Sequence, residues 1–147
     1  MVQIIPSVYT SKYTIGDFPW MIQQTLYKNS LFIFDERIEF INSYKIGNGN
    51  AGVRPYSINN PEIIKPLAAG IPLASIKKGG FSSMSGANKA YIDDAINSIK
   101  AILGNFEYDN IYFAARNDNK VAISNYAVSA DVRNYITQQI NDLVPQP

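Results

Sequence analysis

The sequence predicts an α/β fold: one three-layer domain spanning residues 1–147, with a parallel or mixed sheet flanked by helices. Three observations predict it. Strand-length apolar runs alternate along the chain with helical patterns. Two of those runs, 31–34 and 111–115, are apolar without alternation, as in strands buried on both faces. Two amphipathic stripes at helical spacing follow, Ile92, Ile96, Ile99 and Leu103, then Val132, Ile136, Ile140 and Leu143. That alternation is the pattern of a sheet covered by helices.

Taken in order, residues 2–8 carry Ile4, Ile5 and Val8 around Pro6. A proline inside a short strand suits a sheet edge, where no ladder bond is lost. Asp17 and Pro19 mark a helix start, with Phe18, Ile22 and Leu26 on one face. The strand at 31–34 runs into Asp35, Glu36 and Arg37, expected just past its C-terminal end, where open sheets place ligands or simply meet solvent. Residues 38–44 fit a strand or a helical turn. Between Gly47 and Pro66 little regular pattern is expected.

Residues 67–73 form a second apolar run, of small side chains around Gly70. Residues 75–85 read as a polar, glycine-broken loop leading into the longest helix, with Ser83 or Ser85 as its cap, Lys89 and Asp93 as an i,i+4 pair and Gly104 as its stop. After the strand at 111–115 come a turn at 117–119, a possible short strand at 121–123, and a terminal helix opened by Ser129 and closed by Pro145.

Composition narrows the chemistry. The chain has no cysteine and no histidine, which excludes disulfides, thiolate sites, Ser-His-Asp and Cys-His mechanisms and the commonest zinc ligand. The net charge is +1 with scattered lysines, against a dedicated nucleic-acid surface. Charged residues make up 17%, against roughly 25% in an average domain, which favours a homo-oligomer or an assembled subunit. No apolar stretch reaches the ~18 residues of a membrane span, and no metal-ligand cluster or cofactor motif is present. A cytoplasmic location, or one inside an assembly, is expected.

The richest segment chemically is 45–55, Lys-Ile-Gly-Asn-Gly-Asn-Ala-Gly-Val-Arg-Pro. Gly47, Gly49 and Gly52 admit close approach to the main chain, Asn48 and Asn50 suit turns, and Arg54 suits an oxyanion. The functional reading is a cradle for phosphate or ribose-phosphate; the alternative is a tight surface turn. The Gly47-x-Gly49-x-x-Gly52 spacing has the letters of a dinucleotide fingerprint but no amphipathic helix after it. Arg54 could equally pair with a carboxylate such as Asp35. Tyr56 and Phe81 could stack on a base or belong to the core. Lys77 and Lys78 with the amides of Gly79 and Gly80 form a second anion candidate ahead of a helix. Asp35 and Glu36 suit a ribose hydroxyl or a general base, and without a partner neither is assigned a catalytic role.

As a set, 31–35, Gly47 to Tyr56, Ala68-Ala69-Gly70-Ile71-Pro72 and Gly79-Gly80-Phe81 resemble a family of small phage, giant-virus and bacterial proteins. That family carries Gly-Gly-Asn-Ala-x-x-Arg-Pro-Tyr and Gly-Ile-Pro-Thr-Gly segments. Leu73-Ala74 stand here where it has Thr-Gly. The resemblance implies an α/β fold over 31–143 and supplies no established reaction.

Two functions are therefore expected. One is binding of a phosphorylated nucleoside or ADP-ribose-like ligand by Asp35, Gly47, Asn48, Gly49, Asn50, Gly52, Arg54, Tyr56, Gly79, Gly80 and Phe81, with no catalytic residue assigned. The other is a structural or interaction role in a viral or phage assembly.

Overall fold

A computed structural model describes residues 2–122 and 127–144. It is a five-stranded mixed sheet with helical segments on both faces. The strands are β1 (Gln3–Val8), β2 (Ser30–Arg37), β3 (Ala68–Ser75), β4 (Gly79–Gly80) and β5 (Asn110–Ala115). Their order is β1-β5-β2-β3-β4, all parallel except the β3–β4 pair. β1 lies at one edge and holds Pro6, as the proline rule expects.

Alternation along each strand divides the core in two. Leu31, Ile33, Ile71, Ile111 and Phe113 face α2 (Ala87–Asn105) and α3 (Ala130–Asn141), which bury Ile92, Ile96, Ile99, Val132, Ile136 and Ile140 against them. Phe32, Phe34 and Tyr112 face the opposite layer, built from α1 (Phe18–Met21) and a 3-10 segment, Gly49–Tyr56. Phe32 stacks on Tyr112 at 5.4 Å between ring centroids and meets Phe18 at 5.1 Å. The runs without alternation thus reflect strands buried on both sides.

Local expectations fare unevenly. Ser129 caps α3, accepting a hydrogen bond from the Val132 N–H at 3.3 Å. Ser129→Ala should lower stability by about 1 kcal/mol, read as a fall in the urea midpoint with the slope unchanged. Lys89 and Asp93 pair as expected, and Tyr135 on α3 donates its hydroxyl hydrogen to the same carboxylate, tying the two helices together. That pairing holds Asp93 below the usual carboxylate range, Lys89 first and Tyr135 second.

Other elements differ. The first helix has one turn, and its buried pair is Phe18 with Met21; Leu26 is exposed on a separate 3-10 turn. Asp17 caps no helix N–H and instead accepts from the Tyr13 N–H at 2.7 Å. Neither Ser83 nor Ser85 caps α2; Gly86 stands there at φ +58°, and Gly104 lies within the last turn. Asp35, Glu36 and Arg37 continue β2 instead of following it. Residues 79–80 form β4, too short for any periodicity to reveal. Val121 makes a single bridge to Ala115, while Ile123 and Pro145 lie outside the described residues.

Candidate functional site

β2 carries two opposed acidic residues because successive side chains point to opposite faces. Asp35 shares the parity of Leu31 and Ile33, and so the α2 side. Glu36 shares that of Phe32 and Phe34, and so the side of the 3-10 segment. Neighbouring β3 has Gly70 opposite Phe34 in register. A Cβ at position 70 would collide with both carboxylate oxygens of Glu36. The glycine therefore creates the notch in which that carboxylate lies.

Arg54 meets Glu36 from the 3-10 segment. Its Nε donates to Glu36 Oε1 at 3.3 Å, and its Nη1 to the Lys45 carbonyl at 3.2 Å. The guanidinium lies 4.9 Å from the Phe40 ring centroid and 5.6 Å from that of Phe34. Both side chains of the ion pair are only 6% exposed. Burial pushes the Glu36 carboxyl up from 4.5 to about 7, against the opposing pull of Arg54 and with a further push from Asp35.

This pair forms part of the wall of a cavity of about 400 Å³ beside β3. β4 covers only Ala74 and Ser75 of that strand. The Phe81 N–H bonds the Leu73 carbonyl and Ser57 bridges Ala68, so among the described residues the outer edge of β3 is open between them, around Gly70, where the cavity passes. Tyr91, Asp94, Ala95 and Ser98, on one face of α2, make one wall; Ile38, Ile41, Asn42 and Ser43 contribute to the other. Ser57 and Ile58 line it as well, and Ser57 Oγ is buried without a hydrogen-bond partner among the described residues.

Of the residues singled out from the sequence for chemistry, Arg54 and Glu36 line this cavity. The glycine-rich segment is hydrogen-bonded within itself and to α1. The Gly47 N–H donates to the Ala51 carbonyl at 3.0 Å, and the Ala51 N–H to the Asn48 carbonyl at 3.2 Å. Asn50 Oδ1 accepts from the Phe18 N–H at 3.0 Å, fixing the segment to α1. A Cβ at Gly47 would stand 2.8 Å from Arg54 Nη1, and one at Gly52 2.7 Å from Pro19 Cγ. Gly52→Ala should therefore cost about 1–3 kcal/mol through overpacking, seen in the denaturation midpoint. Gly49 has φ +58° and open space around its Cβ position.

The remaining candidates are dispersed. Tyr56 packs at the margin of the α1-side core, and its carbonyl accepts from the Leu67 N–H. Phe81 is 5% exposed, with its N–H on the Leu73 carbonyl and its carbonyl on the Ser129 N–H, so it is a core residue. Gly79 and Gly80 form β4, and Gly80 leaves room for the Ala127 carbonyl. Lys77 and Lys78 are exposed on the β3–β4 turn. Asp35 lies on β2 outside the cavity wall.

Gly70, Ser57 and the α2 face complete the site. Parity along a strand continuing to Arg37 would have separated Glu36 from Asp35. Nothing in the sequence brings Tyr91, Asp94 and Ser98 beside Gly70. Among the described residues no group of three or more His, Cys, Asp or Glu is placed to hold a metal ion, and no helix is long and apolar enough to cross a membrane. No family model, curated protein or solved structure matches the chain.

Proposed function

We propose that this domain binds a small nucleoside-like ligand in the cavity beside β3, over the Glu36–Arg54 pair. The supporting observation is the coincidence of a concavity and a buried, perturbed carboxyl. A volume of about 400 Å³ falls within the roughly 300–1,000 Å³ of small-molecule sites. A carboxyl pushed to about 7 inside such a cavity is the kind of group that binding and proton-transfer sites keep. Apolar walls from Ile38, Ile41, Ile99 and Ile102 suit a flat ring, and Asn42, Ser43 and Ser98 suit hydroxyls. The Gly47 and Ala51 amides are bonded within their own segment. Support for the ligand therefore rests on the cavity and not on a phosphate cradle.

The test is a panel of nucleosides, nucleotides and ADP-ribose in thermal shift and calorimetry, on wild type and on Ser98→Trp, which fills the exposed α2 wall. A ligand at ~100 times its dissociation constant should add roughly 2.7 kcal/mol of stability. The shift should vanish in the variant. A flat panel on folded wild type overturns the reading.

A second reading, an interaction protein of a viral or phage assembly, draws on Ile46, Ile58 and Ile64, which are 75%, 57% and 90% exposed on the segment joining β2 to β3. Light scattering checks it: an oligomer dispersed by Ile46→Lys with Ile64→Lys supports it, and a monomer at working concentration overturns the homo-oligomer.

A further inference from the structure

Gly70 combines three features that bear on which end of a ligand the cavity reads. The first is main-chain direction. In the parallel β2–β3 ladder the Phe32 N–H donates to the Leu67 carbonyl at 2.9 Å, with Phe32 in register with Ala68. The main-chain groups of Ala69 and Ile71 therefore point to β2, and those of Ala68, Gly70 and Pro72 point outward. β4 pairs only with Ala74 and Ser75. Pro72 has no N–H. Among the described residues the Gly70 N–H and C=O have no hydrogen-bond partner across this edge.

The second is the Glu36 carboxylate, which occupies the space a side chain at position 70 would take. Its Oε1 is held by Arg54, and its Oε2 has no hydrogen-bond partner among the described residues. The third is charge. The charged residues lining the cavity are Glu36, Arg54 and Asp94, and the single guanidinium is already paired with Glu36. Among the described residues no further cation lines the wall to receive a phosphate, and two carboxylates oppose one.

We infer that the cavity reads a heterocycle with an amidine edge, an exocyclic amino group beside an unprotonated ring nitrogen, as in amino-purines and amino-pyrimidines. The Gly70 N–H donates to the ring nitrogen. The amino group has two hydrogens: one goes to the Gly70 carbonyl and the other to Glu36 Oε2. This arrangement satisfies the open strand edge as another strand would, and uses the carboxylate oxygen that Arg54 leaves over. An edge of the opposite polarity, a ring N–H beside a carbonyl, sets donor against donor at the Gly70 N–H. A buried site with fixed donors and acceptors rejects such a mismatch strongly. The phosphate end of a nucleotide points away from the carboxylates, toward solvent.

The inference rests on the cavity being the ligand site, and one calorimetric experiment separates the two. Wild type is titrated with adenosine, cytidine, inosine, uridine and AMP. Adenosine or cytidine should bind at least tenfold more tightly than inosine or uridine, and AMP within about twofold of adenosine. Gly70→Ala, which displaces the Glu36 carboxylate, should lose that preference; because it could also perturb folding, the wild-type selectivity stands as the primary measurement. Equal binding of adenosine and inosine, or a large gain from the phosphate of AMP, overturns the base-edge inference and leaves the cavity reading intact. No binding by any of the five overturns both.

Discussion

Arg54→Ala should be the most damaging single substitution near the cavity, costing about 3–5 kcal/mol at pH 8. The arginine is 5% exposed, and its partner Glu36 is equally enclosed. Removing one member of a buried ion pair leaves the other as an uncompensated charge, and that penalty exceeds anything the pair contributed in attraction. Two smaller losses add to it. The Lys45 carbonyl loses its donor, and the rings of Phe34 and Phe40 lose the cation above them. The cost should shrink at pH 5.5, because the stranded carboxyl can take a proton and become neutral.

Urea denaturation at the two pH values reads this directly. A loss below 1 kcal/mol at pH 8 would show that water reaches Glu36 and that the pair is not buried in solution. Glu36→Gln combined with Arg54→Met should recover most of the loss, since neither position then holds a charge. Arg54→Lys should fall between, because an ammonium cannot serve the Glu36 carboxylate, the Lys45 carbonyl and two ring faces at once.

The fate of this arginine illustrates what the sequence conveyed. Its proximity to Gly47, Gly49 and Gly52 suggested an anion site, and pairing with a carboxylate was the alternative. The choice depended on a side chain eighteen positions earlier on a different element, and pairing between elements has no periodic signature. The layers were legible because burial on both faces leaves a mark in composition: Phe32 and Phe34 are as apolar as Leu31 and Ile33. The long helices were legible because Ile92, Ile96 and Ile99 repeat at helical spacing over several turns.

The short elements were not. Four residues in α1 and two in β4 span about one period of a helix or strand, so no repeat can show. The glycines were ambiguous for a related reason. Gly52, Gly70 and Gly80 each avoid a collision with something far along the chain, Pro19, Glu36 and Ala127 respectively. A glycine required by a distant neighbour is identical in sequence to one required by a ligand. The open edge of β3 was hidden too, because which strand covers another is a property of order in the sheet.

Glu36 should also make stability depend on pH in the direction opposite to most carboxylates. Its pKa rises from 4.5 in the unfolded chain to about 7 in the fold, chiefly through burial. Between those values the folded state holds the proton more tightly than the unfolded state, so the unfolding free energy falls as pH rises. The contribution is fully present below about 4.5 and is lost as pH climbs through about 7. A shift of that size corresponds to roughly 3 kcal/mol across the window.

Asp118 and Asp93 act the other way. Asp118 is lowered first by the Lys120 N–H and then by Arg133, and Asp93 first by Lys89; their contributions are lost as pH falls through the acidic range below 3.8. Glu36→Gln isolates the buried group, because it keeps the shape and removes the titration. The variant should lose stability relative to wild type at pH 4.5 and gain it at pH 8, the difference tracing a single titration between the two. Parallel wild-type and variant curves from pH 4.5 to 8 would mean that Glu36 stays ionised throughout. The Arg54 guanidinium would then outweigh the burial of its partner, and the carboxylate would face any ligand as a full charge at every pH.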